Sequence, residues 1–153
     1  MPSRRAEIAL TDDEVEAFLR ARHTAVLCTV GPDGLPDPVG MWYVVGAGGA
    51  LEMTTYRRSQ KVVNLRRDPR AVVLVEDGAT YDELRGVQLT CHAEVVEDTG
   101  RVLDTIVAVA RRYSGLTDEH VPAAREAARG QAAKRVLLRL LPQRTVSWDH
   151  RKL

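Results

Sequence analysis

The sequence has no apolar run long enough to cross a membrane, and its start, Met1-Pro-Ser-Arg-Arg, lacks the apolar block of a secretory signal. We therefore expect a cytoplasmic protein with no membrane partner. Only two cysteines are present, Cys28 and Cys91, and they lie far apart in alternating apolar segments. This spacing does not match the paired cysteines of zinc or dithiol motifs, and it favours two reduced core residues.

Metal-binding clusters are also missing from the sequence. The four histidines are scattered, and no two of them have the spacing that places side chains on one face of a helix: His23, His92, His120 and His150. Because isolated histidines without partner ligands are usually structural or surface residues, no metal site is predicted.

The 153 residues, 44% of them hydrophobic, fit one domain over residues 1–153. A capping box, Thr11-Asp-Asp-Glu14, begins a helix predicted over 11–22, and helical spacing predicts further helices over 59–67, 99–113 and 119–133. Alternating apolar residues predict strands over 25–30, 38–45, 50–56, 71–76, 87–96, 134–141 and 144–148. This order predicts an α+β fold with a mainly antiparallel sheet.

Positive charge is concentrated in one segment, although the whole chain carries a net charge of only +1. Residues 57–70 contain six basic side chains and one acidic side chain, a local charge of +5, so the rest of the chain sums to −4. A basic segment in an otherwise mildly acidic chain indicates a local anionic ligand, and it disfavours general binding to nucleic acid.

The chemistry of this segment suits a phosphate. Ser59 is a predicted N-cap, and the first amides of its helix and the helix dipole favour an anion there. Lys61 adds charge, Thr54 and Thr55 can offer hydroxyls to the same oxygens, and Arg57 or Arg58 can bind phosphate with two hydrogen bonds. The alternative is that the arginines only form a solvated helix face.

The order of these motifs resembles a known family, the split β-barrel flavin and deazaflavin proteins related to pyridoxamine 5′-phosphate oxidase. More narrowly, it is similar to the actinobacterial branch that uses coenzyme F420. The resemblance extends from about Thr11 to Leu153. It rests on the first hairpin, Met41-Trp-Tyr43, Thr54-Thr55, Arg57-Arg-Ser-Gln-Lys61, Asn64-Leu65 and Asp68-Pro-Arg70.

The resemblance implies a six- or seven-stranded split β-barrel with flanking helices, and a homodimer with cofactor sites at its interface. It also implies two groups of cofactor-binding residues. Those expected to border the cofactor ring are Val39, Gly40, Met41 and Trp42, and those expected to hold its phosphate and ribityl oxygens are Thr54, Thr55, Ser59, Gln60 and Lys61. Gly40 suits this role because a glycine lets backbone amides approach a flat ring.

Two departures from the oxidases bear on the choice of cofactor. Gly86 stands where those enzymes have a glutamine that contacts the flavin, and Arg144 and His150 do not match their signature for pyridoxal phosphate. The surplus cations suit the oligoglutamate tail of F420: Arg57, Arg58, Arg66 and Arg67. We therefore expect F420, with FMN as the alternative.

The implied activity is hydride transfer from reduced deazaflavin to a small unsaturated or conjugated organic acceptor. Tyr43 or a bound water is the candidate proton donor, and no catalytic residue is fixed by the sequence. Two alternatives stay open. One is an FMN-binding reductase or oxidase, and the other is a protein that binds a flavin, F420 or heme without turnover.

Overall fold

The computed structural model describes residues 3–21 and 24–153. Seven strands are present: β1 (Ala25–Val30), β2 (Pro36–Met41), β3 (Val44–Val45), β4 (Leu51–Tyr56), β5 (Arg70–Asp77), β6 (Arg85–Val96) and β7 (Arg135–Asp149). The α-helices are α1 (Arg4–Glu7), α2 (Asp12–Ala21), α3 (Gln60–Arg67), α4 (Thr99–Ser114) and α5 (Val121–Ala132).

All seven strands belong to one antiparallel sheet in the order β2-β1-β5-β6-β7-β4-β3. Leu27 of β1 and Met53 of β4 are fully buried in one hydrophobic cluster, although their strands lie towards opposite ends of this order. The sheet therefore curls around a shared core, which α2 covers with Phe18 and Leu19. The predicted α+β split β-barrel with flanking helices is confirmed.

The predicted capping box begins α2. The amide of Glu14 donates to Thr11 Oγ1 at 3.3 Å, and the amide of Thr11 donates to the Glu14 carboxylate at 2.8 Å. The helix extends to Ala21, and its predicted last residue, Arg22, lies outside the described residues.

Helices α4 and α5 form a smaller second core against β7. Asp98 caps α4 by accepting from the Arg101 amide at 3.0 Å, and Gly115 ends this helix in the left-handed conformation, with φ of 66°. The alanine-rich α5 buries only Ala132. This helix therefore lies on the outside of the molecule.

Two predicted strand boundaries are wrong. The strand predicted over 38–45 is two strands, because the chain pairs with β1 as far as Met41 and then with β4 from Val44. The strands predicted over 134–141 and 144–148 are one strand, β7. Pro142 lies in β7 opposite Cys91, where the register shifts, so its missing N–H is tolerated at a bulge.

Both cysteines are free, but only one is a core residue. Cys91 is buried, and this burial raises the pKa of its thiol to about 12. Cys28 is half-buried on β1, so its expected place in the core is wrong. No helix within residues 3–21 and 24–153 is long and apolar enough to span a membrane.

Candidate functional site

A pocket of about 450 Å³ opens where β2 and β4 approach α4. Seven residues line it: Thr24, Gly40, Met41, Trp42, Thr54, Val109 and Arg135. Four of these belong to the ten predicted cofactor-binding residues, which are the two groups above together with Arg57, and the four come from both groups. The fold therefore brings the expected ring-binding segment and one phosphate-binding threonine to a single cavity.

Gly40 gives this pocket an open backbone surface. A Cβ atom placed there would meet only Thr24 Cγ2, at 3.8 Å, so the space above this residue is free. A flat ligand can therefore lie directly on the backbone of β2. The neighbouring Val39 is half-buried and packs against the main core, so its side chain faces the other side of the strand.

An aromatic wall forms one end of the pocket. Trp42 stacks on Tyr113 with 4.6 Å between ring centroids and 8° between planes. The Tyr113 hydroxyl accepts from the Tyr43 amide at 3.1 Å and donates to the Tyr43 carbonyl at 3.0 Å. Tyr113 lies in α4, 71 positions after Trp42. No local sequence pattern therefore predicts the contact between the two rings.

Tyr43 does not reach the pocket. Its side chain is fully buried, and its hydroxyl donates to the Leu19 carbonyl at 2.6 Å. The sequence offers Tyr43 or a bound water as the proton donor, and the buried Tyr43 hydroxyl does not fit that role. Adjacent side chains of an extended chain point to opposite sides, so Tyr43 faces the core while Trp42 is exposed.

Arg135 lines the pocket, although the sequence did not predict it as a site residue. Its Nη1 donates to Thr54 Oγ1 at 3.3 Å, and its guanidinium carbon lies 4.5 Å from the ring centroid of Tyr56. The Arg135 Nε atom is buried and has no hydrogen-bond partner among the described residues. A buried donor of this kind beside a cavity suits an anionic or carbonyl-bearing ligand.

Thr55, Ser59 and Lys61 form a separate hydrogen-bonded cluster. Lys61 Nζ donates to Thr55 Oγ1 at 3.2 Å, and this hydroxyl donates to Ser59 Oγ at 3.3 Å. Burial is the main reason that the pKa of Lys61 is lowered, while the charge of Asp37 raises it and that of Arg135 lowers it. Lys61 therefore holds a partly desolvated positive charge near the pocket arginine.

One expectation about this cluster is wrong, and a second is confirmed in position only. Thr54 is half-buried beside Arg135, whereas Thr55 is buried beside Lys61, so the two hydroxyls lie on opposite faces of β4 and do not meet one oxygen. Ser59 occupies the N-cap position of α3, but its side chain makes no capping hydrogen bond because it accepts from Thr55 instead.

Gln60 takes part in a buried polar network below the cluster. Its amide donates to Asn64 Oδ1 at 2.9 Å, and the fully buried Asn64 donates to Thr29 Oγ1 and to Asp37 Oδ2, each at 2.9 Å. These bonds tie α3 to β1 and β2. The network fixes the position of the helix that carries Lys61.

Most of the surplus arginines are already engaged within the protein. Arg57 and Arg66 both pair with Glu97, at 3.5 and 2.7 Å, and Arg67 donates to the Val30 carbonyl. Arg58 is exposed and has no hydrogen bond or ion pair in the part of the chain that the structure describes. The expectation that all four are available to a polyanionic tail is therefore wrong, since internal partners compete for three of them.

No group of three or more metal-ligating side chains converges among the described residues. His150 lies with its Nδ1 atom 2.7 Å from the Tyr81 carbonyl, and His92 is exposed on β6. His23 lies outside the described residues.

Comparison with known proteins finds a matching family and similar proteins. A family model described as pyridoxamine 5′-phosphate oxidase matches residues 11–149. An F420H(2)-dependent biliverdin reductase from Mycobacterium tuberculosis (strain CDC 1551 / Oshkosh) is 34% identical over 105 residues, which cover 68% of this chain and 72% of that protein.

Two solved structures are similar over most of the chain. The conserved hypothetical protein Rv2991 from Mycobacterium tuberculosis is 43% identical with a TM-score of 0.87, over 99% of this chain and 92% of that chain. A structure named F420 Reductase is 26% identical with a TM-score of 0.66, over 88% of this chain and 98% of that chain.

Proposed function

Because the chain belongs to the pyridoxamine 5′-phosphate oxidase family, we propose that it is an F420-dependent oxidoreductase that reduces a small unsaturated organic acceptor. Two similar proteins, the biliverdin reductase and the F420 Reductase, carry F420 in their names and support this choice of cofactor. The finding that carries the proposal is the pocket that joins an open glycine and an aromatic wall to a partly unpaired arginine.

The residues present fit a deazaflavin ring and its phosphate. Gly40 leaves the backbone of β2 open to the ring, and Met41, Trp42 and Val109 keep water from its edge. Lys61 and Arg135 supply the positive charge for the phosphate end. The charge of Arg135 disfavours the charged form of the partly buried Lys61, so an anionic group bound at this end of β4 would relieve that repulsion.

The bound cofactor would supply hydride, a two-electron chemistry that the protein side chains do not have. The described residues that line the pocket include no carboxyl, imidazole, phenol or amine group. We therefore assign the proton that completes the reduction to water, and the protein contributes orientation and exclusion of bulk solvent.

The oligoglutamate tail of F420 has a path beyond Arg135. A second cavity of about 360 Å³ is lined by Tyr56, Arg57, Arg58, Ala133 and Lys134. Tyr56 borders this cavity and stacks under the guanidinium of Arg135, so the two cavities share one wall. We assign the tail to this groove, where Arg58 is free to pair with its carboxylates.

A titration of the purified protein with F420, FMN, FAD and heme tests this proposal. We expect F420 to bind most tightly, and Lys61→Ala to weaken its binding by about 1–3 kcal/mol through loss of a charged hydrogen bond. Arg66→Ala is the matched control, since it removes a cation from the same helix but one that pairs with Glu97 at the surface. Its effect should stay below about 0.5 kcal/mol.

Preference for FMN would contradict the proposal and favour an FMN-dependent reductase or oxidase. If F420 binds, the reduced cofactor should be reoxidised by at least one member of a panel of quinones, enones and tetrapyrroles. Binding without any reoxidation would instead indicate a protein that carries the cofactor without turnover.

A further inference from the structure

The link between β2 and β3 borders the pocket but belongs to neither strand. Pairing with β1 ends at Met41, and pairing with β4 begins at Val44. Trp42 and Tyr43 therefore lie between the two ladders of backbone hydrogen bonds. The position of such a link is set by the groups outside the sheet that bind its N–H and C=O. For Tyr43, these groups are side chains of α4.

Two consecutive residues of α4 bind the backbone of Tyr43. The Tyr113 hydroxyl bonds to both its amide and its carbonyl, as described above. Arg112 Nη1 donates to the same carbonyl, and Nη2 donates to the Leu19 carbonyl, both at 2.9 Å. Leu19 lies in the last turn of α2, where carbonyls lack a partner within the helix. Arg112 therefore ties α2 and α4 to the link between β2 and β3.

The same two residues support the indole of Trp42. The ring of Tyr113 stacks on one face of the indole. The Arg112 guanidinium carbon lies 4.5 Å from the ring centroid of Tyr43 and 5.3 Å from that of Tyr113, so one cation lies against both phenol rings. Trp42 is 55% exposed, so burial alone does not hold its ring in one position.

We propose that Tyr113 and Arg112 are positioning residues, which hold Trp42 and the Tyr43 backbone so that this edge of the pocket is formed before a ligand binds. The inference rests on the proposed function in taking this pocket as the ligand site, and it holds for any part of a ligand that contacts the indole. An edge that is already ordered loses less conformational entropy on binding. Loss of the Tyr113 hydroxyl should therefore loosen Trp42 and weaken binding.

Fluorescence of Trp42 tests the positioning without any ligand. The chain has two tryptophans, so Trp148→Phe leaves Trp42 as the only indole. In this background, Tyr113→Phe keeps the stacked ring but loses both hydrogen bonds to Tyr43. We expect it to lower the anisotropy of the Trp42 emission and to raise its quenching constant with acrylamide, because the ring moves more freely.

A control and a second variant accompany Tyr113→Phe. Thr105→Val also removes a hydroxyl from α4, but one that donates to the Arg101 carbonyl of the same helix, so it should change neither signal. Arg112→Lys replaces the guanidinium fork with an ammonium, which does not reach two carbonyls in the same way. It should shift both signals in the same direction as Tyr113→Phe does. Urea unfolding identifies any variant that is not folded.

Titrations with F420 and with FMN measure the consequence for binding. We expect Tyr113→Phe to raise the Kd of the cofactor that the unchanged protein binds by about two- to tenfold, which corresponds to ordering one side chain on binding. Thr105→Val should leave this Kd unchanged. If F420 fails to bind the unchanged protein, the proposed function is wrong, and the fluorescence difference between the variants still decides the positioning role.

Two results would overturn the inference. If anisotropy and quenching of Trp42 are the same in Tyr113→Phe as in Thr105→Val, the hydroxyl does not position the indole. If both signals change but the Kd of a bound cofactor does not, binding does not need this edge to be formed in advance. A merely structural role of Tyr113 would lower the stability to urea and leave the fluorescence of the folded protein and the Kd unchanged.

Discussion

At the scale of single residues, the structure explains why a glycine stands at position 86, which the sequence alone does not. It pairs with Trp148 across β6 and β7, and a Cβ atom at Gly86 would lie 2.4 Å from Trp148 Cζ2. The ring of Trp148 therefore occupies the space of the missing side chain. This explains the glycine at a position where the related oxidases are expected to have a glutamine.

We predict that Gly86→Ala destabilises the protein by about 1–3 kcal/mol, because the indole must move out of a packed position. Urea unfolding followed by circular dichroism measures this change. Gly130→Ala is the control, since Gly130 is exposed in α5 and a Cβ there meets no atom within 4 Å. It should stabilise the protein by up to about 1 kcal/mol. Equal stability of Gly86→Ala and the unchanged protein would contradict the packing argument.

The residues of the candidate site differ in how well the sequence predicts them. Gly40, Met41, Trp42 and Thr54 carry local signals, a glycine beside bulky residues and a hydroxyl before a helix, and they line one pocket. Arg135 carries no such signal. It is placed by pairing with Tyr56, 79 positions earlier, and only the sheet register brings the two together. The binding roles of all these residues stay predictions.

At the scale of secondary structure, alternation predicts the strands but not their partners. Residues 39–43 alternate between inward and outward positions without interruption, even though the chain leaves β1 and joins β4 within this region. The exchange of partners changes no side-chain direction, so the sequence shows one strand where the structure has two. A helix start is better predicted where the cap is local, as the capping box at Thr11 illustrates.

The ion pair between Asp68 and Arg70, which lies where α3 leads into β5, predicts that the free energy of unfolding falls in acid. Asp68 accepts from Arg70 Nη2 at 2.6 Å and Nε at 2.9 Å, and the pKa of its carboxyl falls from 3.8 to about 2. A carboxyl with a lowered folded-state pKa stabilises the fold above its unfolded value. That contribution should therefore be complete above pH 3.8 and should disappear as the pH falls through about 2.

Urea unfolding of the unchanged protein and of Asp68→Asn between pH 6 and 2 measures this effect. We expect the difference in unfolding free energy between the unchanged protein and Asp68→Asn to be constant near pH 6 and to shrink between about pH 4 and 2. Arg70→Gln removes the same ion pair from the other side, so its pH profile should match that of Asp68→Asn. A difference that does not change with pH would contradict the assignment.

At the scale of the whole molecule, we propose that a second copy packs on the outer face of β1 and β2. Val26 is 38% exposed and pairs with Gly40 of the pocket, and Pro36 and Pro38 are exposed on the same face of β2. An exposed apolar face that borders the pocket suits a homodimer with the cofactor at its interface, as the family resemblance implies.

We predict that Val26→Asp weakens self-association at least tenfold, about 1.4 kcal/mol, because a carboxylate must be desolvated in the interface. Sedimentation equilibrium measures the association, and a titration measures the accompanying loss of F420 affinity. Val63→Asp places the same charge on an exposed position of α3 and should leave both unchanged. If Val26→Asp self-associates as tightly as the unchanged protein, the proposal that this face forms the interface is wrong.

The path of β7 has a consequence for how the protein acquires its site during synthesis. β4 is complete by Tyr56, but its neighbours in the sheet are β3 and β7, and β7 begins only at Arg135. While the ribosome is still extending the chain through α5, β4 has only the two-residue β3 beside it, and the Thr54 hydroxyl has no Arg135 to bind. The pocket therefore forms after almost all of the described chain has been made, and a nascent chain that pauses earlier would have strands but not this pocket.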